Sequence, residues 1–358
     1  MPRTARAVEN LPDMTGIRLA ISMHLDMKML PLVEGLASRG AALFVTTCNP
    51  ATVRNEVVDA MRAAGARVDA YRNMPEEDWR AAIRAGLDWG PTHLSEMGAD
   101  FTHMLLTEGM AMPPIKAGLE ATGSGINRLQ GALPPWPIFN WDDLPVKEGL
   151  HNRHMVGLTT WNAFFTRTLL SLHEKTVLVV GYGSVGQGLA ASARAFGGTV
   201  MVAEIDPARV LQARYDGFLA GSVEALAPLA DVIVTGTGGH HVVPYSVIQR
   251  LKDGCFLLNA GHRIDEIELA PLAELPQTRA LPAVTTYRLA SENCIHLFVD
   301  GAMANLVGGE GDSLNAFDMT LAVMAEGIGH IAGDGAAAAS GVHLLPRTVW
   351  ERACPAAA

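Results

Sequence analysis

Features that mark several common protein classes are missing from this chain of 358 residues. It has no run of lysine or arginine, and its formal net charge of −10 argues against a protein that binds nucleic acids or anionic membranes. No uninterrupted apolar run reaches the roughly 18 residues that a membrane-spanning helix needs. The opening residues, MPRTARAVENLPDM, are polar and lack the apolar core of a signal peptide. These absences predict a soluble cytoplasmic protein with no nucleic-acid or membrane partner.

Cysteine is also scarce. The four cysteines are widely spaced, form no CxxC pair and have no flanking histidine at the spacing of a zinc site. We therefore predict no metal site, and we interpret Cys48, Cys255 and Cys294 as buried free thiols. Hydrophobic residues make up 49% and charged residues 18%, which are the proportions of a folded globular chain rather than a disordered one.

Short β-rich apolar runs alternate with helical segments along most of the chain. This alternation is typical of an α/β protein with parallel sheets covered by helices on both faces, and we predict two such doubly wound domains. Three stretches interrupt the pattern: a loose N-terminal leader, a loop-rich segment over 113–149, and a glycine- and alanine-rich end over 333–358 with little to pack. Loop-rich segments often form the walls of active sites.

The most informative stretch is residues 176–207, TVLVVGYGSVGQGLAASARAFGGTVMVAEIDP. A predicted strand over 176–180 runs into Gly181, Gly183 and Gly186, and an alanine-rich helix follows at once. The first glycine permits a tight turn, the second lets a pyrophosphate approach the backbone, and the third lets helix and strand pack closely. The free N–H groups at the start of the helix attract phosphates. The alternative is a glycine turn without a ligand.

The next strand ends in Glu204, 18 residues beyond the last glycine. A carboxylate at this point can accept both ribose hydroxyls, and it repels a 2′-phosphate. Since no arginine replaces it in the AEIDP stretch, the pattern predicts a Rossmann domain that binds NAD rather than NADP. We therefore predict a catalytic, substrate-binding α/β domain over 1–155, an NAD-binding Rossmann domain over 156–312, and a helix over 313–358 that returns to the substrate domain before a short tail.

The EIDP stretch and its glycine loop resemble the cofactor domain of the S-adenosyl-L-homocysteine hydrolase family. The resemblance covers roughly residues 16–353, and its further motifs are Met23-His24, Cys48-Asn49, Asn259-Ala260-Gly261-His262, Asn305-Leu306 and the GVHLLP stretch at 341–346. It implies an internal redox cycle, in which bound NAD oxidises a ribose 3′-hydroxyl and thereby acidifies the C4′ proton. The 5′-thiol is then eliminated, water adds, and the ketone is reduced again.

The resemblance also implies catalytic residues. Lys147 matches the lysine that helps to deprotonate the 3′-hydroxyl, His24 matches a histidine that assists at C5′, and His262 matches one on the substrate side. The alternatives are an exposed surface lysine and satisfied core or loop histidines. The residues implied to bind the cofactor, in addition to the glycines and Glu204, are Ser184, Val185, Thr122, Ser124, Asn152, Thr235, Asn259 and Asn305.

The chain departs from the family's pattern at several substrate-side positions. Met97 stands where an aspartate near C4′ is expected, and Glu96 could replace that carboxylate only if the loop shifts by one residue. Ala121 stands where a second ribose-binding glutamate is expected. His151 replaces an aspartate and could still act as an acid or base near neutral pH, while Asp312 falls where the family places a histidine against adenosine.

The resemblance weakens at the C-terminus, where the family continues into a long tail that completes a neighbouring subunit's NAD site. The sequence ends at Ala358, soon after the matching stretch. From this we expect no clamping across subunits by such a tail, a looser NAD site, and a homo-oligomer that is a dimer rather than the tetramer common in the family.

Four functions remain open. The first is a divergent family enzyme whose small-molecule substrate, a nucleoside or thioether, differs from S-adenosylhomocysteine. The second is ordinary hydrolysis of S-adenosylhomocysteine, and the third is a non-catalytic NAD-binding protein that regulates a partner. The fourth is an unrelated Rossmann dehydrogenase acting on a 2-hydroxy acid, but His296 with Glu292 is a weak candidate for the catalytic pair that it needs.

Overall fold

A computed structural model describes residues 1–131, 134–262 and 264–354. The chain divides into two compact units, which we call the first unit (Met1–Lys147 with Leu314–Ala358) and the second unit (Glu148–Ser313). Each unit contains one sheet. The predicted domain ranges, 1–155, 156–312 and 313–358, stay predictions. The chain passes from one compact unit to the other between residues 147 and 148 and again between residues 313 and 314.

The first unit is built on a parallel sheet with the strand order β15-β6-β5-β4-β1-β2-β3 over the described residues. Its strands are β1 (Arg18–Met23), β2 (Ala42–Thr47), β3 (Arg67–Val68), β4 (His93–Glu96), β5 (Ala117–Glu120), β6 (Pro137–Asn140) and β15 (Gly341–Leu344). Its helices are α1 (Pro2–Glu9), α2 (Leu30–Ser38), α3 (Asn55–Ala63), α4 (Glu76–Asp88), α5 (Asp100–Thr107), α6 (Gly123–Arg128), α12 (Leu314–Ala332) and α13 (Arg347–Trp350).

Apolar side chains cover both faces of this sheet. Strand β1 is buried at every position after Arg18, as expected for a central parallel strand with helices on both sides. One cluster joins the strands to α2, α3 and α12, and a second joins the opposite face to α4 and α5. The carboxyl ends of the parallel strands consequently meet at one edge, where loops are free to carry polar side chains.

The two ends of the chain are more ordered than the sequence predicts. The residues interpreted as a loose leader form α1, whose Thr4 backbone N–H and hydroxyl both donate to Asp318 on α12, at 2.9 and 2.8 Å. The end over 333–358, predicted to have little to pack, contributes β15, which pairs with β6. The segment over 113–149 contains β5, α6 and β6, so it continues the alternation. The expectations for the two ends were wrong because their partners lie far away in sequence, whereas the elements within 113–149 are short and much of that segment is loop, as expected.

The second unit has a mixed sheet with the strand order β12-β13-β14-β11-β10-β7-β8-β9. Its strands are β7 (Thr176–Val180), β8 (Thr199–Ala203), β9 (Leu219–Gly221), β10 (Val232–Thr235), β11 (Cys255–Asn259), β12 (Gln277–Leu281), β13 (Val284–Arg288) and β14 (Cys294–Phe298). Its helices are α7 (Val156–Thr168), α8 (Ser184–Ala195), α9 (Pro207–Tyr215), α10 (Val223–Leu226) and α11 (Tyr245–Ile248). The strands from β14 to β9 run parallel, and β13 and β12 add an antiparallel edge.

Helices cover both faces of this sheet with two apolar clusters, so the predicted doubly wound α/β class is correct for each unit. Two π-helical segments, Lys147–Met155 and Ala304–Gly308, are wider than α-helices and occur in the described chain. Such segments are often found at functional sites. Among the described residues, every helix is too short or too polar to cross a membrane.

Candidate active site

The first unit collects its polar side chains at the carboxyl edge of the sheet, where ligands bind in open α/β folds. His24 follows β1, Cys48 follows β2, Glu96 ends β4 and Glu120 ends β5. The parallel registers of these strands place their carboxyl ends side by side. The Met23-His24 and Cys48-Asn49 motifs therefore lie at the same edge as Glu96 and Glu120.

His24 is held in a defined orientation by a threonine. Its Nδ1 lies 2.9 Å from Thr52 Oγ1, whose own proton goes to the backbone oxygen of Asn49 at 2.8 Å. The threonine oxygen therefore accepts from Nδ1, and the lone pair of the imidazole is on Nε2. Cys48 Sγ lies 3.6 Å from the same Nδ1, and burial raises the pKa of this thiol well above its usual value, so Cys48 is a neutral packing residue.

Lys147, just after β6 and its following turn, is largely buried. Its side chain is 13% exposed, its Nζ lies 3.4 Å from Asp142 Oδ1, and it lies 5.9 Å from the centre of the Trp141 ring. A flexible surface lysine would not be confined in this way. The structure therefore gives Lys147 a fixed position at the same edge as His24.

Glu96 is engaged at the start of α5. Its Oε2 accepts from the backbone N–H groups of Phe101 at 2.7 Å and Thr102 at 3.2 Å, and its Oε1 accepts from the Thr102 hydroxyl. Burial raises the pKa of Glu96 to about 7. A catalytic role for Glu96 stays a prediction, and it would require the carboxylate to leave these three donors. Met97, at the position where an aspartate is expected, is buried.

Glu120 similarly organises its surroundings. Its two oxygens accept from the backbone N–H groups of Gly98, Ala99 and Thr122, at 3.0, 2.9 and 2.8 Å. Burial, with the charge of Glu96 adding to it, raises the pKa of Glu120 to about 8. Thr122 caps α6 by accepting from the backbone of Gly125, and its hydroxyl lies 3.1 Å from Ser124 Oγ. Cofactor contacts of these two hydroxyls stay predictions.

In the second unit, the three glycines occupy different environments. Gly181 has a φ of +94°, which favours glycine, and a Cβ on Gly186 would lie 2.0 Å from the Gly181 carbonyl oxygen. A Cβ on Gly183 would meet nothing nearer than Arg209 Nη1 at 3.5 Å. The first glycine therefore makes the turn, the third permits helix packing, and the second faces open space, as the motif requires.

A cavity of about 570 Å³ lies against this loop, and Glu204 is in its wall. The carboxylate accepts from the backbone N–H groups of Tyr182 at 2.7 Å, Ile205 at 2.7 Å and Asp206 at 2.9 Å. These three bonds use three of the roughly four acceptor positions of a carboxylate, and the contact of Glu204 with the ribose hydroxyls stays a prediction. Asp206 caps α9.

Ser184 and Val185 begin α8 directly after the loop. The Ser184 hydroxyl donates to Glu148 Oε1 at 2.8 Å, which joins the glycine loop to the π-helix Lys147–Met155. Val185 packs on the end of β10, since a Cβ on Gly236 would lie 3.1 Å from its Cγ1. Both residues are next to the loop that they were predicted to complete.

Thr235 and Asn259, at the ends of β10 and β11, are fully buried and bonded to each other at 3.1 Å. The Asn259 amide also donates to Gly301 O at 3.0 Å, and its Oδ1 accepts from Gly261 N at 2.8 Å. This network fixes the loop that carries the half-buried His262. Direct cofactor contacts of Thr235 and Asn259, and a catalytic role for His262, stay predictions.

Asn305 and Asn152 lie in the two π-helical segments. Asn305 is buried, and its Oδ1 accepts no hydrogen bond from the described residues. An orphaned buried acceptor is costly unless a ligand supplies a donor, and a carboxamide N–H would do so. Asn152 has its backbone oxygen beside Gly188 of α8. The glycine cradle, the cavity and this acceptor together fit a nicotinamide dinucleotide.

His151 is paired with Asp312 within the second unit. His151 Nδ1 lies 3.0 Å from Asp312 Oδ2, and the two side chains are 13% and 4% exposed. Thr159 Oγ1 lies 3.4 Å from the other carboxylate oxygen. The sequence identified both residues as departures from a pattern, but it did not predict that they meet.

Several site residues were missed by sequence reasoning. Glu266 is buried and accepts from Thr237 N at 2.9 Å and Gly238 N at 2.8 Å, which shapes the loop after β10. Arg209, in the first turn of α9, and His241 line the cavity. The small and glycine-rich run TGTGG after β10 was an available signal for this loop, whereas nothing local marks Glu266.

Comparison with known proteins supports a nicotinamide dinucleotide site in the second unit. The family model for "S-adenosyl-L-homocysteine hydrolase, NAD binding domain" matches residues 164–311. An adenosylhomocysteinase from Thermococcus kodakarensis is 33% identical over 94% of this chain and 82% of its own length. The chain belongs to the S-adenosyl-L-homocysteine hydrolase family. An adenosylhomocysteinase from Aeropyrum pernix is 34% identical over 93% of this chain and 82% of its own length. An S-inosyl-L-homocysteine hydrolase from Methanopyrus kandleri is 33% identical over 94% of this chain and 81% of its own length.

Membership of the S-adenosyl-L-homocysteine hydrolase family confirms the resemblance seen in the sequence. It also confirms NAD as the cofactor, because the matched region spans the glycine loop, Glu204 and Asn305. The second unit is thus an NAD-binding Rossmann domain. The relatives carry the names of hydrolases acting on two different nucleoside thioethers, so family membership does not choose between these substrates.

Proposed function

We propose that this chain is an NAD-dependent hydrolase that transiently oxidises a ribose 3′-like hydroxyl, so that a thioether at the 5′ carbon can be eliminated and water added. The observation that carries this proposal is the confinement of Lys147, whose Nζ is 3.4 Å from Asp142 Oδ1 at the carboxyl edge of the first sheet. In a family whose reaction begins at a hydroxyl, a lysine held at this edge is suited to carry the hydroxyl proton.

When bound, NAD supplies the reversible acceptance of a hydride, which no side chain can provide. The residues of the chain manage protons and positions. Lys147 Nζ takes and returns the proton of the hydroxyl. His24, whose lone pair is on Nε2 because Thr52 engages Nδ1, acts at C5′ on the departing thiol and the incoming water. His262 contacts the substrate from the loop that Asn259 fixes.

The proposed substrate is a nucleoside thioether other than S-adenosylhomocysteine. Met97 and Ala121 are 8% and 2% exposed, so the positions expected to hold two carboxylates hold apolar side chains packed into the unit. A site without those carboxylates loses hydrogen bonds to the ribose of the parent substrate. The relatives' names point to two compounds, S-adenosylhomocysteine and S-inosyl-L-homocysteine. These two serve as the reference substrates with which other thioethers are compared. We also propose that the protein is cytoplasmic and forms a homo-oligomer. Analytical ultracentrifugation would measure the size of this oligomer.

The test is turnover of the purified protein with NAD and a panel of nucleoside thioethers. We expect release of the thiol and a transient absorbance band of reduced nicotinamide, with a higher kcat/KM for another thioether than for S-adenosylhomocysteine. Lys147→Ala should lower kcat by about 10³-fold, as expected for loss of an acid–base group. The matched control is Lys116→Ala at an exposed lysine, which should leave kcat unchanged.

Two results would contradict the proposal. Equal kcat in the Lys147→Ala variant and the unmodified protein would show that this lysine takes no part in the reaction. If the protein binds NAD but no thioether produces thiol or reduced nicotinamide, the NAD-binding regulatory function is the better description. Preference for S-adenosylhomocysteine over the rest of the panel would establish ordinary adenosylhomocysteinase activity and would contradict only the proposed difference in substrate.

A further inference from the structure

Arg209 lies in the first turn of α9 and lines the cavity beside the glycine loop. Its Nη1 lies 3.5 Å from the point that a Cβ on Gly183 would occupy. Gly183 is the second glycine of the motif, where a pyrophosphate approaches the backbone. The guanidinium of Arg209 therefore lies beside the space that the motif keeps open for phosphate groups.

Two carboxylates fix the backbone that carries Arg209. Asp206 Oδ1 caps α9 and accepts from the Arg209 backbone N–H at 3.0 Å. Glu204 accepts from the backbone N–H groups of Tyr182, in the glycine loop, and of Asp206, at 2.7 and 2.9 Å. Because Glu204 joins the start of α9 to the glycine loop in this way, the approach of Arg209 to Gly183 is built into the backbone.

The wall of the cavity is otherwise acidic. Among the described residues that line it, the carboxylates belong to Glu204, Asp206 and Glu224, and Arg209 alone carries a permanent positive charge. The start of helix α8 offers a partial positive charge of about half a unit. Since each phosphate of a dinucleotide carries a negative charge, a cation beside Gly183 favours its binding in this cavity.

Other arginines of the second unit are engaged with the backbone. Arg194 on α8 donates to the Asp216 carbonyl oxygen at 2.8 Å, and Arg214 on α9 donates to the Ala220 carbonyl oxygen at 3.3 Å. The exposed guanidinium of Arg209, by contrast, makes no hydrogen bond or ion pair with the rest of the described chain. Its planar fork of donors, which matches the oxygens of a phosphate, is available to a ligand.

We infer that Arg209 binds the pyrophosphate of NAD and thereby raises the affinity of this protein for its cofactor. The guanidinium donates to phosphate oxygens, in addition to the backbone N–H groups at the start of α8. Arg209 is then a cofactor-binding residue outside the glycine motif. The inference goes beyond the proposed function, because it concerns the second unit alone and does not depend on the substrate.

The test is calorimetric titration of the full chain with NAD, after bound cofactor has been removed, at low and at high ionic strength. We expect Arg209→Gln to weaken NAD binding by about tenfold at low ionic strength, because a charge-assisted hydrogen bond is lost. The difference from the unmodified protein should shrink at high ionic strength, because salt screens exposed charges. Arg209→Lys keeps the charge and should lose less affinity than Arg209→Gln.

The matched control is Arg250→Gln. Arg250 is an exposed arginine of the same unit that does not line the cavity, and its replacement changes the net charge by the same amount. We expect this variant to bind NAD as the unmodified protein does. Urea denaturation should show equal stability for both glutamine variants, so that a change in affinity is not a loss of folded protein.

A spectroscopic readout reports the phosphates directly. In ³¹P NMR of the NAD-loaded protein, the pyrophosphate signals should shift in Arg209→Gln and keep their positions in Arg250→Gln. Unshifted signals together with an affinity loss of equal size at both ionic strengths would place Arg209 against the adenine ring, which would overturn the inference.

Two further results would also overturn it. Equal NAD affinity in Arg209→Gln and the unmodified protein would make Arg209 an ordinary surface residue. If Arg209→Gln weakens binding of NADP but not of NAD, the guanidinium serves a 2′-phosphate instead. The proposed function fails separately: if no thioether yields thiol but Arg209→Gln weakens NAD binding as expected, the role of Arg209 stands.

Discussion

The carboxyl edges of the two sheets both use buried carboxylates to shape loops, but they differ in how those carboxylates are grouped. In the second unit, the buried Glu266 shapes the loop after β10, and Glu204 is in the wall of an open cavity. In the first unit, burial raises the pKa of Glu96 and of Glu120, and the charge of Asp100 adds to the shift of Glu96 as the charge of Glu96 adds to that of Glu120. The arrangement in the second unit fits a dinucleotide, whereas the arrangement in the first unit is a cluster of titratable groups.

The two edges also differ in how closely they follow the patterns expected from the sequence. The cofactor edge follows the glycine motif at each position, because a dinucleotide imposes the same turn, approach and packing on any Rossmann domain. The edge of the first sheet has apolar residues at Met97 and Ala121, and its Glu96 and Glu120 accept hydrogen bonds from its own backbone. Under the proposed function, the chemistry of the cofactor stays the same while the substrate differs.

The largest expected effect is at the third glycine of the cofactor edge. Gly186→Ala places a Cβ 2.0 Å from the Gly181 carbonyl oxygen, so helix α8 must move away from β7. We expect loss of measurable NAD binding and a loss of about 3 kcal/mol in the free energy of unfolding, because the backbone cannot yield cheaply. Calorimetric titration with NAD and urea denaturation measure the two effects.

Gly183→Ala is the matched control for this prediction. The added Cβ would meet only the end of Arg209 at 3.5 Å, and the φ of Gly183 is −71°, which alanine adopts readily. Stability should change little, while NAD affinity falls because the Cβ occupies the approach of the pyrophosphate. Equal destabilisation by the two substitutions would remove the distinction between the packing glycine and the binding glycine.

The next effect is the response of the first unit to pH. Burial raises the pKa of Glu96 to about 7 and of Glu120 to about 8, so protonation favours the folded state. The stability that these two carboxyl groups contribute is fully present below their pKa in the unfolded chain, near 4.3. It is lost as the pH rises through their folded-state pKa values of about 7 and 8. The free energy of unfolding should fall by about 3 kcal/mol between pH 6.5 and 9. Urea denaturation across this range measures it.

Glu120→Gln sharpens the pH prediction. Without the carboxyl group that has the higher pKa, the loss between pH 6.5 and 9 should shrink to about 1 kcal/mol, the part due to Glu96. Glu34→Gln, at an exposed position on α2, should leave the full loss in place. A flat pH dependence in the unmodified protein would show that the cluster does not titrate as described.

The smallest effect concerns the N-terminal helix of the first unit. Thr4→Val removes the buried hydrogen bond between the Thr4 hydroxyl and Asp318 Oδ1. We expect a loss of about 1 kcal/mol in the free energy of unfolding and an NAD affinity unchanged by calorimetry. Thr15→Val, at an exposed hydroxyl, is the control. A change in NAD affinity with Thr4→Val would contradict the expectation that the N-terminal helix of the first unit does not affect the cofactor site of the second.

Local signals in the sequence predicted much of the fold. Strand β7 was predicted over 176–180 and is observed at Thr176–Val180, since a run of β-branched residues ending in glycine is informative by itself. Helix α1 and strand β15 were missed because their partners are remote. Thr4 meets Asp318 across 314 positions, and β15 pairs with a strand some 200 residues earlier. No local pattern carries such information.

The candidate site divides in the same way. The glycine loop and Glu204 could be predicted because their spacing is set by one βαβ unit. His151 and Asp312 were each identified, but they are 161 positions apart and only the fold joins them. The role of Glu96 at the start of α5 was also not evident, because the sequence does not show which oxygen acceptors a buried loop requires.

The π-helix Lys147–Met155 has a consequence for how such a site can change. A wide turn of this kind accommodates one residue more than an α-helix of the same length, and each residue of an α-helix advances the chain by about 100° around the axis. Deleting a single amino acid there would restore ordinary geometry and swing the imidazole of His151 to another side of the helix. A change in the number of residues, with no change in their chemical types, is thus enough to make or break the pair of His151 and Asp312.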